Sequence, residues 1–147
     1  MPTATDADGI RLLDASAAIA LLVEDHEAHG ATLETLRGRR LRLAGHAWFE
    51  TYSVLTRLPP GLRRAPADVL RLLAHNFGAS VFLEAAEQAS LGPELARLGI
   101  SGGAAYDALV GAAARRRGRG LVTVDARARP TYEALDVQVE VIGPPAG

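Results

Sequence analysis

The chain has 147 residues, of which 48% are hydrophobic, enough to build a buried core and too many for a disordered chain. It contains no Cys, which excludes disulfides and thiolate metal sites. The formal net charge is −1, from 16 basic and 17 acidic side chains, so composition alone dictates neither a basic nor an acidic face. Residues 1–9 lack the basic start and apolar stretch of a secretion signal, and no apolar run approaches the ~20 residues of a membrane span. The expectation is a soluble cytoplasmic protein with one domain over residues 1–147, its core at 10–142 and short flexible tails. Every basic side chain is Arg, which fits either a GC-rich coding bias or a preference for gripping phosphate and carboxylate.

In chain order, a short apolar strand is predicted at 10–13, followed by helical stretches at 15–23 and 25–36. A turn around Gly38 leads to a second strand at 41–44. The helix predicted at 46–58 places Trp48, Tyr52 and Leu55 at helical spacing and ends at Pro59-Pro60-Gly61. A short helix at 66–75 carries Pro66 near its first turn, and the β-branched and aromatic run 79–83 reads as a third strand. Residues 84–98 read as helix, with Gly92-Pro93 a candidate break. Ser101 is the expected N-cap of a helix at 102–117. A strand at 121–124, a helix at 130–135 and a strand at 137–142 follow, and 143–147 reads as a loose tail. Strands alternating with helices define the α/β class, a mainly parallel sheet covered on both faces.

Four acids interrupt otherwise apolar runs: Asp14 in Leu-Leu-Asp-Ala-Ser, Glu50 in Trp-Phe-Glu, Asp107 in Ala-Tyr-Asp-Ala-Leu and Asp125 in Val-Thr-Val-Asp. Asp14 and Asp125 directly follow predicted strands, while Glu50 and Asp107 fall in the first turns of predicted helices. Ligands in open α/β sheets gather beyond the carboxyl ends of the strands. A helix antiparallel to its strand begins at that edge, so the alternation alone puts all four acids on one rim. Two like charges ~4 Å apart repel by ~4 kcal/mol at an effective dielectric near 20. Four carboxylates in one pocket therefore take up protons or a divalent cation, and oxygen ligands without Cys suit Mg²⁺ or Mn²⁺. Setting these four negative charges aside turns −1 into +3, a mild bias toward an anionic partner.

Each acid also has a plainer reading. Asp14 and Asp125 suit helix N-caps, Glu50 suits a pairing with Arg57 seven residues on, and Asp107 suits the surface of a helix packed through Tyr106, Leu109 and Val110. Glu84 also follows a predicted strand, but its neighbours Glu87 and Gln88 mark an ordinary first-turn acid.

These four motifs, in this order and with the run Glu50-Thr-Tyr-Ser-Val-Leu-Thr-Arg-Leu-Pro after the second, resemble the PIN-domain nucleases. Within them they are most similar to the VapC toxins of bacterial toxin–antitoxin pairs, over residues 10–142. The resemblance implies a PIN-like three-layer α/β/α sandwich with strand order 3-2-1-4-5. It implies a catalytic quartet of Asp14, Glu50, Asp107 and Asp125 holding one or two Mg²⁺ or Mn²⁺ ions. Ser16 and Thr123 would orient carboxylates or water behind it. Many relatives carry Phe three residues after the last acid, where this chain has Ala128; that departure touches packing and removes no ligand.

The implied activity is a divalent-metal-dependent endoribonuclease, hydrolysing an RNA phosphodiester by in-line attack of water. Asp14, Asp107 and Glu50 would be the primary ligands, with Asp125 completing the site or orienting the water. No His is needed, and His26, His29, His46 and His75 are expected on helix surfaces or in the core. Arg57, Arg115 and Arg116 are candidate RNA contacts. Arg57 shares a helix face with Glu50. The cluster Arg115, Arg116, Arg117 and Arg119 closes the far end of its helix, where stabilising the helix C-terminus is the preferred reading. The implied partners are the RNA substrate and a cognate antitoxin whose tail covers the acidic pocket, often with an Arg. A homodimer is implied as well; Ile19, Leu21, Leu22 and Val23 suit either its interface or the core.

Three rival readings are weaker or less specific. A doubly wound Mg²⁺ phosphatase also places Asp after strand one. It needs a second Asp two residues on, where Ser16 stands, and a downstream Lys, which the chain lacks. A housekeeping RNA or DNA nuclease without antitoxin is the second alternative. A catalytically inactive PIN scaffold is the third, disfavoured by four intact acids.

Overall fold

The structure, a computed structural model, describes residues 9–143; the two tails expected from sequence lie outside the described residues, apart from Gly9 and Gly143. Four strands form one parallel sheet: β1 (Ile10–Leu13), β2 (Arg40–Leu43), β3 (Leu121–Thr123) and β4 (Val139–Val141), in the order β2-β1-β3-β4. The helices are α1 (Ala15–Leu22), α2 (His29–Leu36), α3 (Ala47–Thr56), α4 (Pro66–Asn76), α5 (Ala85–Leu98), α6 (Ala104–Arg116) and α7 (Arg129–Ala134), with a 3-10 turn at Ala126–Ala128 before α7.

The register explains the layers. Leu13 pairs with Leu43 on one side and Val122 on the other, and these three side chains enter one apolar cluster with Leu55, Val69 and Leu73 from α3 and α4. Leu12 pairs with Leu121, and both enter a second cluster with Val110, Tyr132 and Leu135 from the α6 and α7 side. Successive strand residues face opposite ways, so the two clusters occupy the two faces of the sheet, and central strands buried on both faces read as continuous apolar runs. Arg11 interrupts this pattern. It is buried, shares the face of Leu13, and reaches across β3 to an ion pair with Glu140 of β4. Ile19, Leu21, Leu22 and Val23 are partly buried and pack against the two clusters, so each contributes to the core.

Several sequence expectations are corrected. The sheet among the described residues has four strands rather than the five implied by the order 3-2-1-4-5. The run 79–83 makes only one parallel bridge, Val81 with Ala44 beyond the end of β2. Val81 buries its side chain and Leu83 is partly buried against the same cluster, while Ala79, Phe82 and Glu84 are exposed, so the segment packs on the core without a ladder of pairs to β2. The helix expected at 25–36 begins at His29 because residues 24–28 form turns, one of them closed by the Ala28 amide donating to His26 Nδ1 at 3.0 Å. Ser101 does not cap the next helix; Gly103 stands at that position with no side-chain bond, preceded by Gly102 at φ +61°. Pro93 lies inside an unbroken α5. The carbonyl it deprives of a partner belongs to Ala89, an exposed residue, so the lost bond falls on the solvent face of the helix.

One glycine positions the site. Gly45 links β2 to α3 at φ +53°, and a Cβ there would stand 3.1 Å from Ala113 Cβ on α6 and 3.4 Å from the Val81 carbonyl. Its bareness lets the start of α3 close against α6. Gly38 also has a positive φ, of +74°, but open space around it. Gly45→Ala is expected to destabilise the protein by more than the ~1–2 kcal/mol that a left-handed φ alone costs, and Gly38→Ala by no more than that. Urea denaturation of both variants measures the difference.

Candidate active site

Asp14 follows β1 directly and caps α1. Its amide donates to the Val122 carbonyl at 3.1 Å, which ties it to β3. The side chain is 4% exposed and richly bonded. Oδ1 accepts the Ser16 hydroxyl at 2.6 Å and the Ala17 amide at 3.0 Å, while Oδ2 accepts the Tyr132 hydroxyl at 2.8 Å. The N-cap reading and the site reading are therefore both satisfied by one residue. A carboxylate has about four lone-pair positions; three are taken, and one on Oδ2 is open.

Ser16 and Thr123 form the layer behind Asp14. The single Ser16 proton goes to Asp14, so Ser16 Oγ accepts from the Val124 amide at 3.0 Å and from Thr123 Oγ1, also 3.0 Å away. Thr123 Oγ1 in turn accepts the Asp125 amide at 3.0 Å. These two hydroxyls lace the end of β3 to the start of α1. Asp125 caps the 3-10 turn, its Oδ1 accepting the Arg127 amide at 3.0 Å and Arg127 Nε at 3.2 Å; its Oδ2 takes no hydrogen bond from the described residues.

Glu50 and Asp107 come from the first turns of α3 and α6. Burial pushes the Glu50 carboxyl up to about 7, with the charges of Asp107 and Asp14 adding to the effect. Asp107 is raised by burial and then by Asp14 and Asp125. Asp14 is raised by burial, against the hydrogen bonds from Ser16, Ala17 and Tyr132 that favour its charged form. Glu50, Asp14 and Asp107 thus sense one another, and Asp125 joins at the fringe through Asp107.

Among the described residues no group of three His, Asp or Glu side chains stands in a ready-made metal cage. The donor set still fits a hard divalent cation. All donors are carboxylate oxygens, Asp14 and Asp125 each keep an open lone pair, and burial, with neighbouring negative charge adding to it, raises the pKa of Glu50 and Asp107, a cost that a cation relieves.

Tyr132 is the residue that sequence reasoning missed. Its ring is 1% exposed and packs against Gly111, where a Cβ would stand 3.1 Å from Tyr132 Cδ1. Burial and the charge of Asp14 push its hydroxyl far above the ordinary range, so it donates and does not ionise. Tyr132 lies one helical turn beyond Ala128, which is buried in the same cluster.

The histidines and arginines divide. His46, expected on a helix surface or in the core, lines a groove of about 670 Å³ together with Phe49, Glu50, Arg57 and Tyr106. The other rings of this groove were also missed as site residues. Arg57 shares the groove with Glu50, its Nη1 donating to Ser53 Oγ at 2.9 Å. Arg115 and Arg116, offered from sequence as RNA contacts, are committed elsewhere. Arg115 forks onto Glu94 with two 2.8 Å bonds, and Arg116 pairs with Glu84 and Glu87. Both sit at the C-terminal end of α6, and their charge is used to fasten it to α5. Glu84 is the N-cap of α5 in a capping box with Glu87, as an ordinary first-turn acid should be.

The parallel sheet, the acids along its carboxyl edge and the sequence agree on one class. Residues 11–133 match the PIN domain family, and the chain belongs to it. It is 49% identical over 129 residues to Ribonuclease VapC27 of Mycobacterium tuberculosis, covering 88% of this chain and 94% of that protein. It is 44% identical over 130 residues to Ribonuclease VapC40 of the same species, covering 88% and 96%. The crystal structure of FitAcB from Neisseria gonorrhoeae superposes with a TM-score of 0.60 at 24% identity, over 88% of this chain and 95% of that one. The structure of FitAB bound to an IR36 DNA fragment superposes with a TM-score of 0.59 at 20% identity, over 92% and 94%. At these identities the likeness speaks to fold alone.

The raised carboxyls fix a sign for pH dependence. Between the ordinary value of 4.5 and about 7, folded Glu50 keeps a proton that the unfolded chain has released. Stability therefore falls as pH rises through that window, and raised Asp14 and Asp107 act in the same direction. Without divalent cations, the melting temperature is expected to drop between about pH 5 and about pH 7.5, with a shallower drop in Glu50→Gln. Calorimetry in the presence of a chelator checks it.

Proposed function

We propose that this protein is a divalent-metal-dependent endoribonuclease, the toxin of a VapBC-type toxin–antitoxin pair, acting in the cytoplasm. The observation that carries the reading is the buried, hydrogen-bonded Asp14 at the carboxyl edge of the sheet, with its charge reaching both Glu50 and Asp107. The two relatives named as ribonucleases, aligned over most of the chain, supply the activity and the substrate class.

Asp14, Glu50 and Asp107 are the residues that would hold Mg²⁺ or Mn²⁺, as one ion or two. Such an ion supplies Lewis-acid activation of water and neutralises charge on the phosphodiester. Asp14 is held rigid by Ser16, Ala17 and Tyr132, so its open lone pair keeps a fixed direction. Asp125, with Oδ2 open, completes the site or orients the attacking water. Ser16 and Thr123 position Asp14 and the Asp125 backbone rather than touching RNA. Arg57 supplies positive charge beside Glu50 for the RNA backbone. A cognate antitoxin presenting an Arg fork would fit the same carboxylates bidentately and compete with the cation. The homodimer expected from the resemblance belongs to the same proposal, and light scattering of the isolated protein reads it.

Asp14→Asn is expected to abolish RNA cleavage with the circular dichroism spectrum unchanged; undiminished, chelator-sensitive cleavage by that variant would refute the assignment. Tyr132→Phe keeps the ring and removes the hydrogen bond. It is expected to weaken Mn²⁺ binding by ~10–100-fold, the usual cost of losing a ligand's supporting partner, as read by isothermal calorimetry. Arg57→Ala is expected to lower RNA affinity and to flatten the log–log salt dependence by about 0.7, measured by fluorescence anisotropy.

A further inference from the structure

Two of the acids have an aromatic residue immediately before them: Phe49 before Glu50 and Tyr106 before Asp107. Successive helical positions are rotated by about 100°, so a helix that turns its acid toward the cluster turns the preceding ring toward the mouth. Both rings are 55% exposed. His46 joins them, stacking on Tyr106 with centroids 5.2 Å apart and planes 18° apart, and tilting against Phe49 at 6.5 Å. Phe49 meets the exposed Phe82 at 6.2 Å. The result is a strip of rings along the mouth of the acidic site, with Arg57 in the same groove.

Half-exposed rings braced by one another lose little freedom on taking a further planar partner. A cation and a hard-ion site beside them select a partner that is also anionic. Unpaired nucleotides combine both properties, and single-stranded nucleic acid is held by this pairing of aromatic platforms with positive charge.

We propose that the Tyr106–His46–Phe49 strip is a base-stacking subsite that holds an unpaired nucleotide next to the scissile phosphate. The proposal rests on the ribonuclease reading above. The competing occupant is an apolar segment of a protein partner, to which the same rings would offer only surface.

The test uses the full chain carrying Asp14→Asn to block cleavage. It is titrated in Mg²⁺ with a fluorescein-labelled RNA of roughly 12 nucleotides, within the span one binding surface covers, and with the same RNA as a duplex. Tyr106→Leu, which keeps apolar bulk and removes the ring, is expected to weaken single-strand binding about tenfold with little effect on duplex. Tyr106→Trp is expected to restore it, and Phe49→Leu to act in the same direction as Tyr106→Leu. Single-strand affinity unchanged in both Leu variants overturns the subsite. So does an equal loss for both RNA forms, or a properly folded Trp variant that binds no better than Leu. Unchanged RNA affinity with weakened antitoxin binding assigns the strip to protein docking. The ribonuclease reading fails by a separate observation, retained cleavage in Asp14→Asn; a parent that binds no RNA removes both.

Discussion

A carboxylate buried at the end of a central strand is the constraint around which the rest is arranged. An unpaired charge in that place would cost several kcal/mol. Three hydrogen bonds answer it, from the first turn of α1 through Ser16 and Ala17 and from α7 through Tyr132. Ser16 is itself fastened to β3 through the Val124 amide. The central strands and two helices of opposite layers therefore meet at one side chain, and none of these donors moves without leaving Asp14 unsatisfied.

The distribution of charge along α6 follows the same economy. Asp107 lies at the helix N-terminus, where the peptide dipoles favour an anion, and Arg115 and Arg116 lie at the C-terminus, where they favour cations. The arginines then spend their donors on Glu94, Glu84 and Glu87. The densest basic stretch of the chain is thus scaffold, clamping α5 to α6. Arg57, isolated in sequence, is the cation that shares a groove with Glu50.

The rim was legible because it follows from topology: strands parallel to one another deliver every strand end and helix start to one edge, whatever the side chains. Glu84 was legible for the opposite reason, since a capping box is written in four consecutive residues. Tyr132 was not, because its bond to Asp14 spans 118 positions and depends on the space that Gly111 leaves. The aromatic strip escaped because it is assembled from the starts of two helices, so no local periodicity marks it. The run 79–83 had the composition of a strand, but pairing is decided by its neighbours, and only Val81 has one. Ser101 looked like a cap, but consecutive glycines let the helix begin two residues later.

Arg11 and Glu140 have a consequence for how the sheet assembles. Their side chains meet over β3 on the same face. Sliding β4 by one residue would turn Glu140 to the opposite layer, because strand side chains alternate. A guanidinium would then be stranded in the apolar interior without its counter-charge, a penalty of about 3–5 kcal/mol. The short edge strand is thereby keyed to a single alignment by electrostatics, where apolar packing of three residues would discriminate poorly between neighbouring offsets.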